Sequence, residues 1–256
     1  MINNANITNF SFSRLTLNDT VEQLSEWVNA EDFTSARTGA FVNPHSLEVA
    51  RKDSAFANAI LASDLVAADG IGIVLASRIL GAGIPEKVCG PDFFQAFCEM
   101  LNSNKKIVRM FFLGSSHENL LKLEARFKKD FPNLCFAGAY SPPFRSEFSE
   151  EDNKKMALLV NNSAADVLWV GLGAPKQEKW AEAIRGAVNA KLILSVGAVF
   201  DFYTDRVKLP PKWAHRAGLT FVYRFFQQPF RLFRRNLDSP IFILRVLRQR
   251  FFGNSS

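Results

Sequence analysis

Apolar residues fall along the chain in two patterns: short continuous runs, and longer stretches with helical spacing. Leu65-Val66-Ala67-Ala68 is a run of the first kind and predicts a buried parallel strand, with Ile73-Val74-Leu75-Ala76 starting a helix behind it. Ala40-Phe41-Val42-Asn43 ends an earlier strand, and Ile107–Leu113, Leu134–Ala137, Val167–Val170 and Leu192–Val196 predict others. Between them the spacing turns amphipathic. Residues 18–30 put Val21, Leu24, Trp27 and Val28 on one face, behind a cap at Asn18 or Asp19. Helices are predicted likewise over Ser46–Leu61, from Pro91 with Phe93, Phe94, Phe97 and Cys98 inside, over Glu118–Lys129, from Ser149 to near Asn161, and over Gln177–Ile184. Strands alternating with helices imply an α/β fold on a parallel sheet with right-handed crossovers.

Glycine-containing turns follow several strand ends: Asp69-Gly70-Ile71-Gly72, Gly114-Ser115-Ser116, Gly171-Leu172-Gly173 and Gly197. In a parallel sheet they gather along one edge, where such folds bind nucleotides. Asp69 sits where a strand gives way to a helix. It reads either as a helix cap or as a carboxylate placed to take a proton from an incoming hydroxyl. Asn43, before Pro44, reads as a turn residue bonding its own backbone. Gln177, one turn into its helix, reads as a structural residue or as a hydrogen-bonding partner for a sugar or phosphate. Asp201 reads as a cap or as a ligand to a nucleotide or sugar. The Gly-x-Gly after Asp69 lacks the third glycine of the dinucleotide fingerprint, which argues against a nicotinamide oxidoreductase. His45, His117 and His215 are scattered and suggest no metal site.

Charge changes the picture at one end. The chain of 256 residues carries a net +6, but residues 206–256 hold 11 Lys/Arg against the single acid Asp238, leaving residues 1–205 mildly acidic. After Pro210-Pro211, arginines interleave with aromatics, and Ser239-Pro240 predicts the cap and first residue of a last helix, Ile241 to Phe252. This tail reads equally as an amphipathic segment on an anionic membrane surface or as a helix packed on its own domain with its arginines in water. A nucleic-acid partner has no recognised motif to support it. Cys89, Cys98 and Cys135 lack metal-ligand spacing and suggest reduced thiols of a cytoplasmic protein. Neither a secretory signal nor a run of about 18 apolar residues is present.

Taken in order, Asn43, Ala68-Asp69-Gly70-Ile71-Gly72, Gly90-Pro91-Asp92, Gly171-Leu172-Gly173-Ala174-Pro175-Lys176-Gln177-Glu178, Gly197-Ala198-Val199-Phe200-Asp201, Tyr223-Arg224 and Pro229-Phe230-Arg231 with Arg234-Arg235 resemble the WecG/TagA/CpsF family of bacterial glycosyltransferases. The resemblance spans roughly residues 40 to 237. It implies a Rossmann-like core over 1–205 with a membrane-associating appendage over 206–256 that helps close the active site. It also implies inverting transfer from a UDP-sugar to a polyprenyl-diphosphate-linked acceptor at the cytoplasmic face of the membrane, and suggests a homo-oligomer. Asp69 corresponds to the family's proposed base. Asn43, Gln177 and Asp201 correspond to pocket positions, and Arg224, Arg231 and Arg234 to appendage arginines acting on the diphosphate.

This chain departs from the family in places. Phe41 stands where Thr is common, and Lys87 where an Arg is common, which keeps the charge but loses the bidentate fork. Thr220-Phe221 and Gln228 replace a usual Glu-Trp and Glu. These differences loosen any transfer of substrate identity, and they motivate an alternative: a catalytically weak member that binds lipid-linked sugar and scaffolds a polymer-assembly complex. No Asp-x-Asp pair exists to hold a divalent ion. A metal-independent reaction is therefore expected, with arginines and helix N-termini stabilising the departing diphosphate. Arg224, Arg231 and Arg234 are spaced to share one helical face, which Pro229 interrupts.

Overall fold

The computed structural model describes residues 2–31, 33–104, 106–211 and 229–253, and for 229–237 the backbone only. A hairpin, β1 (Asn4–Ile7) and β2 (Phe10–Ser13), comes first, followed by α1 (Leu17–Asn29). The main unit runs β3 (Arg37–Val42), α2 (Pro44–Ala50), α3 (Ser54–Leu61), β4 (Leu65–Ala68), α4 (Ile71–Leu80), α5 (Gly90–Ser103), β5 (Arg109–Gly114) and α6 (His117–Asp130). It continues through β6 (Cys135–Tyr140), α7 (Glu150–Asn162), β7 (Val167–Gly171), α8 (Lys176–Ile184), β8 (Leu192–Ser195) and α9 (Val199–Tyr203). A final helix, α10, spans Pro229–Phe252.

Strands β3 to β8 form one sheet in the order β4-β3-β8-β7-β5-β6, and every pairing is parallel. The expected Rossmann-like α/β sheet is therefore present. Side-chain alternation sends Met110, Phe112, Trp169 and Leu194 to one face, under α1, α5 and α6. Phe111, Leu113, Leu168 and Ile193 go to the other, under α7 and α8. Beside them Ala40, Val42, Val66 and Ala68 meet the hairpin, α2, α4 and α10. Phe93, Phe94 and Phe97 crowd the Trp169 ring at centroid distances of 6.2, 4.9 and 5.9 Å. Each such buried ring contributes about 1.5–3 kcal/mol.

Several expectations are corrected. The cap of α1 is Thr16, not Asn18 or Asp19; its hydroxyl accepts from Asp19 N–H while the Asp19 carboxylate accepts from Thr16 N–H, a reciprocal capping box. Residues 46–61 are two helices rather than one, because Asp53 caps α3 by accepting from Phe56 N–H and pairs with Lys179 Nζ at 2.7 Å. The β1-β2 hairpin was not foreseen. Its signal is short: Ala5, Ile7, Phe10 and Phe12 buried around Thr8-Asn9, whose φ values of 46° and 70° suit a tight hairpin turn. The last helix does not begin at Ser239-Pro240; it begins at Pro229 and runs through Pro240. Contacts on both sides of that proline hold it. Asp238 meets His45 before it, and Phe242 and Val246 are buried against the α2 and α4 side of the sheet after it. The packed reading of the tail thus holds for this stripe, while Ile241, Leu244, Phe251 and Phe252 are exposed. Among the described residues no helix is long and apolar enough to cross a membrane.

Candidate active site

The turns that follow β3, β4, β5, β7 and β8 surround a cavity of about 280 Å³ at the carboxyl edge of the sheet. Asn43, Asp69, Ser115, Gly171, Gly173, Gln177, Gly197 and Asp201 line it, with Phe41 and His45. Two glycines are obligatory here. Gly70 has φ 99°, and Gly114 has φ 120° with its Cα facing the Gly171 carbonyl at a distance no Cβ would tolerate.

Asp69 is not a helix cap. Gly70 holds the cap position of α4, without a side-chain hydrogen bond. The main chain of Asp69 is pinned instead, its N–H donating to Val42 O at 3.0 Å, while Val88 N–H donates to Ala68 O at 2.9 Å and brings the next residue, Cys89, alongside. Asn43 Nδ2 approaches Asp69 Oδ2 at 3.4 Å, and the Cys89 thiol hydrogen-bonds the same carboxylate. Burial pushes the Cys89 thiol well above its ordinary range, and the negative charge of Asp69 adds to this, so the sulfur stays protonated as a donor. Asn43 does two things at once: its Oδ1 accepts from Ser46 N–H to cap α2, and its amide nitrogen faces Asp69. The turn reading of Asn43 is realised, and the residue also lines the cavity.

Gln177 is 3% exposed. Its Oε1 accepts from Gly173 N–H at 3.0 Å and Gly197 N–H at 2.9 Å, tying the turn after β7 to the turn after β8. Its Nε2 donates to Glu178 Oε1 at 2.8 Å. Glu178 is itself buried, its second oxygen has no hydrogen-bond partner among the described residues, and desolvation pushes its pKa up to about 7. Asp201 accepts from Asn119 Nδ2 at 3.1 Å and lies 3.4 Å from Ser115 Oγ, with Arg206 3.5 Å away. It joins the end of β5 to α9 rather than capping a helix; the cap position of α9 belongs to Ala198.

Lys87 does not line the cavity; its charge reaches the Cys89 thiol together with those of Asp69 and Asp92. Phe41 lines the cavity and packs against Phe93 in a tilted pair, ring centroids 5.0 Å apart. Arg224 lies outside the described residues, and Arg231 and Arg234 lie in α10, where only the backbone is described. The sequence reading missed Cys89 and Asn119, whose roles come from Asp69 and Asp201, distant in the chain, and Glu178, whose role comes from its burial beside Gln177. A Cys one residue before Gly90-Pro91 carries no signal of its own.

A polar cleft across the carboxyl ends of an open parallel sheet, with a carboxylate exposed to it, defines an enzyme site of the nucleotide-binding α/β class. A family model described as "Glycosyl transferase WecG/TagA/CpsF family" matches residues 5–256, and the chain belongs to that family of glycosyltransferases. Similar characterised relatives include an N-acetylglucosaminyldiphosphoundecaprenol N-acetyl-beta-D-mannosaminyltransferase of Bacillus subtilis, 28% identical over 81% of this chain and 78% of the relative. A protein of the same name from Bacillus spizizenii is 29% identical over 82% of this chain and 79% of its own length.

Proposed function

We propose that the protein transfers an N-acetylhexosaminyl-type sugar from a UDP-sugar to a polyprenyl-diphosphate-linked saccharide, with inversion, in the assembly of a cell-surface polysaccharide. The observation that carries this reading is the placement of Asp69. It lines the cavity, Gly70 rather than Asp69 holds the cap position of α4, and Asn43 and Cys89 contact its carboxylate. A carboxylate so placed can accept the proton of the acceptor hydroxyl as that oxygen attacks the anomeric carbon from the face opposite the diphosphate. Inversion follows from this single displacement. The names of the Bacillus relatives support an amino-sugar donor and an undecaprenyl-linked acceptor.

UDP leaves with growing negative charge. The N–H groups of Gly173 and Gly197 are already taken by Gln177, so they do not serve the diphosphate in this arrangement. That demand falls on guanidinium groups. Positions 231 and 234 precede Asp238 by seven and four residues, which puts them on its side of α10, about 10 and 6 Å further along the axis. Asp238 is bound to His45 in the cavity wall. This register supports Arg231 and Arg234 as diphosphate ligands, with Arg224 from the preceding segment. No step in this scheme calls on a metal ion. The exposed Ile241, Leu244, Phe251 and Phe252, with the basic Arg248 and Arg250, support contact with the inner, anionic face of a membrane.

The test is Asp69→Asn assayed with UDP-sugars and a synthetic lipid-linked acceptor. Turnover is expected to fall by about 10²–10⁴-fold with UDP binding retained. Full turnover in that variant would remove Asp69 from the mechanism.

A further inference from the structure

One pair in the cavity wall is left unused by this mechanism. His45, the second residue of α2, lines the cavity, and its Nδ1 lies 2.5 Å from Asp238 Oδ2 on α10, a contact spanning 193 positions of sequence. The contact is built in from both sides. Phe242 and Val246 seat α10 at 1% and 0% exposure, and Arg245 Nη2 reaches Glu48 Oε2, also on α2, at 3.2 Å. On the other side Asn43 caps α2 two residues before His45 and faces Asp69.

A carboxylate at Nδ1 accepts that nitrogen's hydrogen and sets the rotation of the ring, which leaves Nε2 as the working edge. Among the described residues Nε2 has no hydrogen-bond partner, and His45 is one of the residues that line the cavity. We propose that His45 contacts the bound substrate through Nε2, that the group it meets is a sugar hydroxyl, and that Asp238 is the positioning residue that aims it. A hydroxyl fits this nitrogen in both protonation states, donating to the neutral ring and accepting from the protonated one. A phosphate oxygen only accepts, and Asp238 already balances the charge of a protonated ring. The C-terminal helix then supplies the site with an orienting carboxylate as well as basic side chains. The proposal rests on the glycosyl-transfer reading.

His45→Asn separates a substrate contact from a mere tie between helices. Asparagine keeps an N–H donor near the place of Nδ1, and so the link to Asp238, but has nothing at the place of Nε2. The urea midpoint and the affinity for UDP are expected to stay within twofold of wild type. Either the affinity for the UDP-sugar falls, or the KM for the lipid-linked acceptor rises, by about tenfold. The first outcome puts the hydroxyl on the donor sugar and the second on the acceptor sugar. Asp238→Asn shifts the same constant in the same direction, by about threefold, and the double variant is no worse than His45→Asn alone. Wild-type constants for both substrates in His45→Asn overturn the proposal. So does an equal loss for UDP and UDP-sugar, which places the ring on the diphosphate. A wild-type chain that binds no UDP overturns the transferase reading and this proposal with it, whereas normal wild-type binding beside an indifferent His45→Asn overturns this proposal alone.

Discussion

Replacing Gln177 with leucine removes three hydrogen bonds and leaves the volume nearly unchanged. Oε1 serves two backbone donors, Gly173 N–H and Gly197 N–H, and Nε2 serves Glu178 Oε1. The glycines border the cavity, so water reaches their freed N–H groups and each costs about 1 kcal/mol, the low end for a lost partner. Glu178 is 4% exposed and one of its oxygens is already unpartnered among the described residues, so orphaning the other costs about 1–3 kcal/mol. The extra apolar surface of leucine returns about 1 kcal/mol. The net expectation is a loss of about 2–4 kcal/mol. For a chain of this length a loss of ~3 kcal/mol lowers the melting temperature by roughly 6–12 °C. Urea unfolding followed by circular dichroism reads the stability, and calorimetry with UDP reads the site, whose two turns are no longer tied. A loss below about 1 kcal/mol with UDP affinity unaltered would show that this amide does not hold the ends of β7 and β8 together.

Glu178 makes stability depend on pH. Its folded pKa of about 7 lies above the ordinary 4.5, so the stabilisation it contributes is complete below pH 4.5 and is lost as the pH rises through 7. Glu178→Gln removes this slope, and its stability relative to wild type should rise by about 2–3 kcal/mol between pH 5 and pH 8 in parallel urea titrations. Asn43→Ala removes the cap of α2 and the contact to Asp69; unfolding should show a loss of about 1 kcal/mol, and kcat should fall more than KM changes. Phe242→Ala empties the seat of α10 on the core and should cost about 3–4 kcal/mol, read by urea unfolding or, if the helix undocks locally, by faster limited proteolysis near residue 229 together with lost turnover.

The strands and most helices were legible because each is marked locally. Leu65–Ala68 and Val167–Val170 are short, fully apolar and followed by glycine turns, as a strand covered on both faces must be. Ser149 and Asp152 announce α7 by their spacing alone. Some failures were local, as with the Thr16–Asp19 box that starts α1, but at the tail the deciding partner lay far away. Nothing near Ser239-Pro240 reveals that a helix passes through the proline, because its support comes from His45 and from the core under α2 and α4. The break at Asp53 is set locally by its cap on Phe56 N–H, with Lys179 as an added partner from afar.

The candidate site divides along the same line. Asp69, Gln177 and Asp201 could be singled out because each lies within four residues of a glycine that ends a strand, and the parallel sheet brings those ends together. Which role each plays could not be read, since a capping carboxylate and one placed to act as a base share the same local pattern. Only the tertiary structure shows Gly70 in the cap position and Asp69 held by Asn43 and Cys89. By itself the sequence determined the periodicity, hence the elements, the parallel sheet and the edge where chemistry belongs. Hydrogen bonds between turns tens of residues apart, and the seating of α10 beside His45, were decided by packing in three dimensions, because burial and partner geometry are properties of the assembled core and not of any segment.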